Sequence, residues 1–218
     1  SRMSRRILTG ITTTGIPHIG NYFGAIKPAL QLSSEKNVSS YFFLADLHAI
    51  IKQTNPNEIK VSVNEVALAW LSSGLDPEES FFYRQSNIPE ITELAWILSC
   101  VTAKGLINRS HAYKAAVQLN HDHAKDEDKG ISMGLFSYPV LMAADILMFN
   151  SSHVPVGKDQ LQHLEITRDV AEKFNYQYGN TFVIPEAIIN KDGKLLVGHD
   201  GSKISKSYNN VIPFLSSE

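Results

Sequence analysis

Cysteine is almost absent: among 218 residues only Cys100 carries a thiol. One cysteine cannot close an intrachain disulfide, which excludes a disulfide-stapled secreted domain and suits a reducing cytoplasm. Its apolar neighbours Ile97, Leu98 and Val101 predict a packed, unreactive thiol. Long apolar runs are missing as well. The stretch 142–149 is interrupted by Asp145 and falls far short of the ~20 apolar residues of a membrane helix, so no membrane span is expected. The first six residues, Ser-Arg-Met-Ser-Arg-Arg, carry charge with no apolar signal core behind them, and residues 1–4 read as a cloning remnant. Neither sign of charge dominates: 20 Lys+Arg against 22 Asp+Glu give a net −2, which supplies no broad basic surface for nucleic acid. What is present, 43% apolar and 19% charged residues, excludes disorder as the main state. At this length one core can bury roughly 70% of the unfolded surface.

The apolar pattern alternates short strands with helices. Residues 6–11 read as a strand entering a Thr/Gly turn, after which Tyr22, Ile26, Ala29 and Leu30 recur at helical spacing. Residues 41–45 form a continuous apolar run, the pattern of a strand buried on both faces, with Asp46 and His48 just beyond it. Asn55-Pro56-Asn57 punctuates the chain before a helical stripe of Ile59, Val63, Val66, Ala67 and Trp70 that stops at Gly74. Residues 80–83 are a third strand candidate. The stretch 89–116 reads as helical with interruptions at Gly105 and near Asn108, and the charge-dense stretch 121–129 as a mobile loop. Residues 134–149 are apolar on more than one face and predict a helix buried mid-fold. Residues 155–157 look like a strand end, 159–174 like the helix after it, and 181–211 like loop-rich chain. Strands alternating with helices predict an α/β fold with a doubly wound, mostly parallel sheet, in which ligands sit at the carboxyl ends of the strands.

Two segments carry candidate chemistry. Gly10-Ile11-Thr12-Thr13-Thr14-Gly15-Ile16-Pro17-His18-Ile19-Gly20-Asn21 places glycines, hydroxyls and an imidazole at a strand-to-helix junction. Unpaired backbone N–H groups and a positive helix end there favour a phosphate, although the same residues also suit an ordinary turn. Lys203-Ile204-Ser205-Lys206-Ser207 sets two ammonium groups and two hydroxyls on a Gly-flanked segment that can close over a polyphosphate. Alone, such a string is usually a solvated surface.

Together these segments resemble the HIGH and KMSKS signatures of the class I aminoacyl-tRNA synthetases, here as HIGN and KISKS, in the same order and at the same wide separation. Three further stretches, 45–50, 134–147 and 154–160, with His163 and Arg168-Asp169, are similar to the bacterial tryptophanyl-tRNA synthetase family. The resemblance spans about Arg6 to Asn210. It implies a Rossmann-like nucleotide-binding catalytic domain over residues 5–218, lacking the helical C-terminal domain that reads the anticodon, since the chain ends eleven residues after the KISKS segment. It further implies a cytoplasmic, homodimeric enzyme that joins L-tryptophan to ATP, with Mg²⁺ accompanying the ATP, and then charges tRNA(Trp). A truncated chain would retain mainly the binding of small molecules.

Residue by residue, the resemblance assigns Thr12, His18, Gly20, Asn21, Lys114, Gly157, Asp159, Lys203, Ser205 and Lys206 to ATP. His18, Asn21, Lys203 and Lys206 act on the reacting phosphates. Tryptophan falls to His48, Tyr138, Met142, Asp145, Ile146, Val154, Val156 and Gln160, with Tyr138 and Gln160 holding the ammonium. The chemistry agrees, because indole offers one N–H donor and no acceptor, so its pocket needs one acceptor in an apolar box. Asp145 among Met142, Ala143, Ala144, Ile146 and Leu147 fits, and without a partner it would be costly to bury. A helix Asp paired with Arg or Lys from elsewhere in the fold fits those neighbours too. Gly157 lets a base or ribose approach, and Asp159 can accept from ribose hydroxyls. Thr12-Thr13-Thr14 departs from the Gln-Pro-Ser of many relatives. His111, His121 and His123 lie in charged surroundings without a second ligand cluster, so no structural metal is expected. A tyrosine-specific relative, a small adenylyltransferase and a non-catalytic nucleotide-binding module are the competing readings. Tryptophan-dependent pyrophosphate exchange separates them.

Overall fold

The structure is a computed structural model that describes residues 4–14, 26–191 and 194–198. Six strands form one sheet: β1 (Arg5–Ile11), β2 (Val38–Leu44), β3 (Phe81–Arg84), β4 (His153–Pro155), β5 (Glu186–Lys191) and β6 (Lys194–Gly198). Their order is β3-β2-β1-β4-β5-β6. The first five are parallel, and β6 runs antiparallel to β5 at the edge. The chain order reverses between β1 and β4, the position where a doubly wound sheet opens a crevice beyond its strand ends.

The described helices are α1 (Lys27–Ser33), α2 (Asp46–Ala49), α3 (Pro56–Ser72), α4 (Glu90–Ser99), α5 (Lys104–Asn108), α6 (His111–Asp122), α7 (Met133–Leu147) and α8 (Leu161–Tyr178). Successive residues of β2 point to opposite layers, as the pleat requires. Phe42 packs with Ile26, Ala29, Val63, Val66 and Trp70 of the α1–α3 layer. Phe43 packs with Leu8, Met142, Ile146 and Leu164 of the α7–α8 layer. This two-sided burial explains the unbroken apolar run in β2. The α3 stripe starts where Asn55 Oδ1 accepts from the backbone N–H groups of Asn57 and Glu58, with Pro56 preset for the first turn. Beyond its end, Gly74 adopts φ +115°, which L side chains rarely reach.

Four sequence expectations are corrected. The 89–116 stretch is interrupted beside Asn108 as expected, at 109–110, but its other break falls at 100–103 and Gly105 lies inside α5. Cys100 is exposed rather than packed, because α4 turns Ile91 and Leu98 inward while Trp96 and Ile97 on its outer side are exposed. The 121–129 stretch begins as the last turn of α6 and continues as turns. They are tied down by Asn120 Nδ2, which donates to the carbonyls of Glu127 and Lys129 at 2.9 Å each. Part of the 181–211 stretch is the β5–β6 hairpin, its pairing running from Ala187↔Gly198 to Lys191↔Lys194. The signal is local but is not one of composition: Asp192-Gly193 stands between the two strands, a dipeptide typical of two-residue hairpin connections.

Candidate active site at the carboxyl ends of the strands

The polar residues of interest follow the C-terminal ends of β1 to β4. Beyond β1, Thr12 Oγ1 lies 3.0 Å from Thr14 Oγ1, and Thr13 is buried with its hydroxyl unpartnered among the described residues. Beyond β2 comes α2, carrying Asp46 and His48. Beyond β3 the chain makes a 3₁₀ turn over Gln85–Asn87. Beyond β4, Val156 and Gly157 are buried and a 3₁₀ turn spans Lys158–Gln160.

Asp145 sits at the centre, 1% exposed on α7. His48 Nε2 donates to Oδ2 at 2.9 Å. Gln85 Nε2 lies 2.9 Å from Oδ1 and 2.8 Å from Oδ2. The acid is therefore not solitary, and among the described residues its partners are neither Arg nor Lys. His48 Nδ1 is buried with no hydrogen-bond partner among the described residues. Asp46 is held in turn by Ser86, whose backbone N–H donates to Oδ1 at 2.9 Å and whose hydroxyl donates to Oδ2.

Burial pushes the Asp145 carboxyl above its ordinary value. The hydrogen bond and charge of His48 and the Gln85 amide pull it back, and the Asp46 charge adds to the rise. The upward direction prevails because the group is enclosed. The Tyr83 hydroxyl is likewise pushed up, first by burial and then by the Asp145 and Tyr41 charges, so it stays protonated.

A second hydrogen-bonded chain lies beside the first. Tyr138 Oη is 2.8 Å from His163 Nε2, and His163 Nδ1 is 2.9 Å from Gln160 Oε1. With Gln160 Oε1 accepting from Nδ1–H, His163 Nε2 is the acceptor and the Tyr138 hydroxyl donates to it. His48 meets Tyr138 edge-on, ring centroids 6.1 Å apart, which joins the two chains. Met142, Ile146, Val154 and Val156 pack with Tyr138 in one apolar cluster.

All eight residues assigned to tryptophan by resemblance thus occupy one connected region. The ATP set is only partly described: Thr12 and Gly157 stand at the ends of β1 and β4, and Lys114 is exposed on α6. His18, Gly20, Asn21, Lys203, Ser205, Lys206 and the Asp159 side chain lie outside the described residues. His111, His121 and His123 are each exposed. Among the described residues no group of three His, Cys, Asp or Glu could hold a metal ion. Sequence reasoning names no site residue after the third strand and so misses Gln85, although the rule that ligands gather at carboxyl ends applies there equally. His163 is quoted in the resemblance but gains its place only through Tyr138.

A parallel sheet reversing at β1/β4, with a buried acid and two imidazoles beyond its carboxyl edge, defines a doubly wound α/β protein of the nucleotide-binding type of architecture. Residues 2–218 match the family model described as tRNA synthetases class I (W and Y). The chain belongs to that family. It is 59% identical over 212 residues to the tryptophan–tRNA ligase of Bordetella pertussis, covering 97% of this chain and 47% of that protein. To the tryptophan–tRNA ligase of Pseudomonas putida it is 57% identical over 218 residues, covering 99% of this chain and 49% of that one. A crystal structure of the Campylobacter jejuni tryptophanyl-tRNA synthetase complexed with ADP and tryptophan aligns with TM-score 0.77 and 45% identity, over 97% of this chain and 63% of that one. The chain spans about half the length of these curated relatives. Among the described residues no helix is long and apolar enough to cross a membrane.

Proposed function

We propose that this chain carries the activating site of a tryptophan–tRNA ligase, which converts L-tryptophan and ATP to tryptophanyl-adenylate and pyrophosphate before tryptophan passes to tRNA(Trp). The observation that carries the reading is Asp145: a buried acceptor braced by His48 and Gln85, with His48 meeting Tyr138 of the apolar cluster that holds Met142, Ile146, Val154 and Val156. Indole has one N–H to give, and this carboxylate retains an acceptor position for it. Tyr138 and Gln160, linked through His163, hold the amino acid's ammonium in this reading. Gln160 supports that chain and completes the grip. The relative solved with tryptophan and ADP supports the same pairing of ligands.

The tryptophan carboxylate is ionised at neutral pH and needs no general base. One of its oxygens attacks the α-phosphorus of ATP in line, the bond to the β-phosphate bridge breaks, and pyrophosphate leaves with the electron pair. Catalysis is then positioning and charge stabilisation. In this proposal the loop after β1, with Thr12, His18, Gly20 and Asn21, cradles the phosphates, while Gly157 and Asp159 face the adenosine. Lys114, Lys203, Ser205 and Lys206 offset charge on the departing pyrophosphate. Mg²⁺ enters with ATP as part of the substrate. In the family such enzymes are homodimers of the cytoplasm, and the proposal extends to this chain.

Because Asp145 is bonded to His48 and Gln85 within the protein itself, phenylalanine would strand one acceptor position rather than a naked charge. One hydrogen bond to a charged group is worth about 1.5–3 kcal/mol, roughly 10- to 100-fold, so the fit of the bicyclic ring must supply the rest of the selectivity. ATP–pyrophosphate exchange tests the function. Exchange dependent on tryptophan and not replaced by tyrosine supports it. Exchange driven by tyrosine would make this a tyrosine enzyme, and nucleotide binding without exchange would reduce it to a binding module.

A further inference from the structure

Gln85 is wholly buried, 0% exposed, and every polar atom of its side chain is engaged. Its Oε1 accepts from the backbone N–H of Leu47 at 3.0 Å and of His48 at 3.3 Å. These are amides of the first turn of α2, which no intrahelical carbonyl can serve, and the preceding residue, Ala45, has no side chain to cap them. A backbone N–H can only donate, so the amide orientation of Gln85 is fixed: a flipped amide would set Nε2 against two donors. Nε2 therefore faces Asp145 as an obligate donor, 2.9 Å from Oδ1 and 2.8 Å from Oδ2. A carboxylate has about four acceptor positions. His48 and Gln85 take two on Oδ2, Gln85 takes one on Oδ1, and the position left among the described residues is on Oδ1.

We propose that Gln85 is a positioning residue for substrate selection: held by the start of α2, it clamps Asp145 so that Oδ1 keeps one lone pair for the indole N–H. This rests on the tryptophan reading above and adds to it the residue that sets the reader's geometry. Gln85 touches no reacting atom and acts through Asp145 alone. The other groups facing Asp145 are His48 and Asp46 of α2 and Tyr83 of β3. Of these only His48 bonds to it.

The test compares L-tryptophan with β-(benzo[b]thiophen-3-yl)alanine, which has the same bicyclic shape but sulfur in place of the N–H. Binding of both is titrated to the full natural protein and to Gln85→Met. The expected result is a loss of about tenfold or more for tryptophan and less than about twofold for the isostere. Equal losses for both ligands would mean that Gln85 merely supports the fold, and would overturn the assignment. Gln85→Glu provides a second route that keeps the α2 cap. Its carboxyl meets Asp145 oxygen to oxygen, so the pair must share a proton to stay together. Tryptophan affinity in that variant should fall as pH rises, opposite to the wild-type trend worked out below, and a wild-type trend in Gln85→Glu would also overturn the assignment. Wild-type protein with no tryptophan affinity overturns the parent reading and this one with it. Wild-type binding combined with equal losses sinks only the role of Gln85.

Discussion

Replacing Asp145 with Asn removes the buried negative charge from α7 while keeping its volume, and the surrounding geometry makes the consequence calculable. Both Asp145 oxygens lie within 2.9 Å of Gln85 Nε2. An Asn amide in either orientation therefore sets its own NH₂ against that of Gln85, stranding a donor at a cost of about 1–3 kcal/mol. The acceptor offered to indole is also neutral, worth about 0.5–1.5 kcal/mol against about 1.5–3 for a charged one. Tryptophan affinity should fall roughly tenfold or more.

The same contrast operates in the wild type when Asp145 is protonated. Burial raises the carboxyl's pKa, and an indole N–H added to Oδ1 favours the ionised form and lowers it again. Binding should then release protons and tighten as pH rises through that range, by about fivefold to tenfold in all. Calorimetric titration with L-tryptophan between about pH 4.5 and 8, in buffers of different ionisation heat, reads both quantities. Asp145→Asn should show neither. Proton release that is zero in the wild type, or identical in the two proteins, would refute the reasoning. Stability follows with the opposite sign. A folded pKa above the unfolded one contributes stability that is fully present below the unfolded pKa and is lost as pH rises through the folded value. The difference in unfolding free energy between wild type and Asp145→Asn should therefore shift toward the variant as pH rises.

Lys206→Ala should lower the rate of tryptophan-dependent pyrophosphate exchange by on the order of 10²-fold with little change in tryptophan affinity; exchange at the normal rate would remove Lys206 from the mechanism. Asn55→Ala deletes the acceptor for two first-turn amides of α3 and should cost about 1 kcal/mol in urea unfolding, leaving exchange activity intact. Asn120→Ala frees the carbonyls of Glu127 and Lys129. It should speed limited proteolysis within 123–130 while cleavage elsewhere stays unchanged.

Sheet type, the buried strands and the helix carrying Asp145 were legible in the sequence because each leaves a local trace. The run at 41–45 is unbroken because β2 is covered on both faces, and the α3 stripe repeats every three to four residues because one face meets Phe42. The resemblance at 134–147 and 154–160 likewise located Tyr138, Asp145 and Gln160. Tertiary structure alone decided who meets whom. Gln85 lies 60 positions from Asp145 and His48 lies 97 from it, so neither bond leaves a periodic mark in the chain. The exposure of Cys100 was hidden for the same reason, whereas the β5–β6 hairpin carries a local mark in Asp192-Gly193. Apolar spacing records which face of an element is covered, whereas the partner of a buried polar atom is set by how the strands converge at one edge of the sheet. There Asp145, read from its sequence neighbours as a solitary acid, became a braced one.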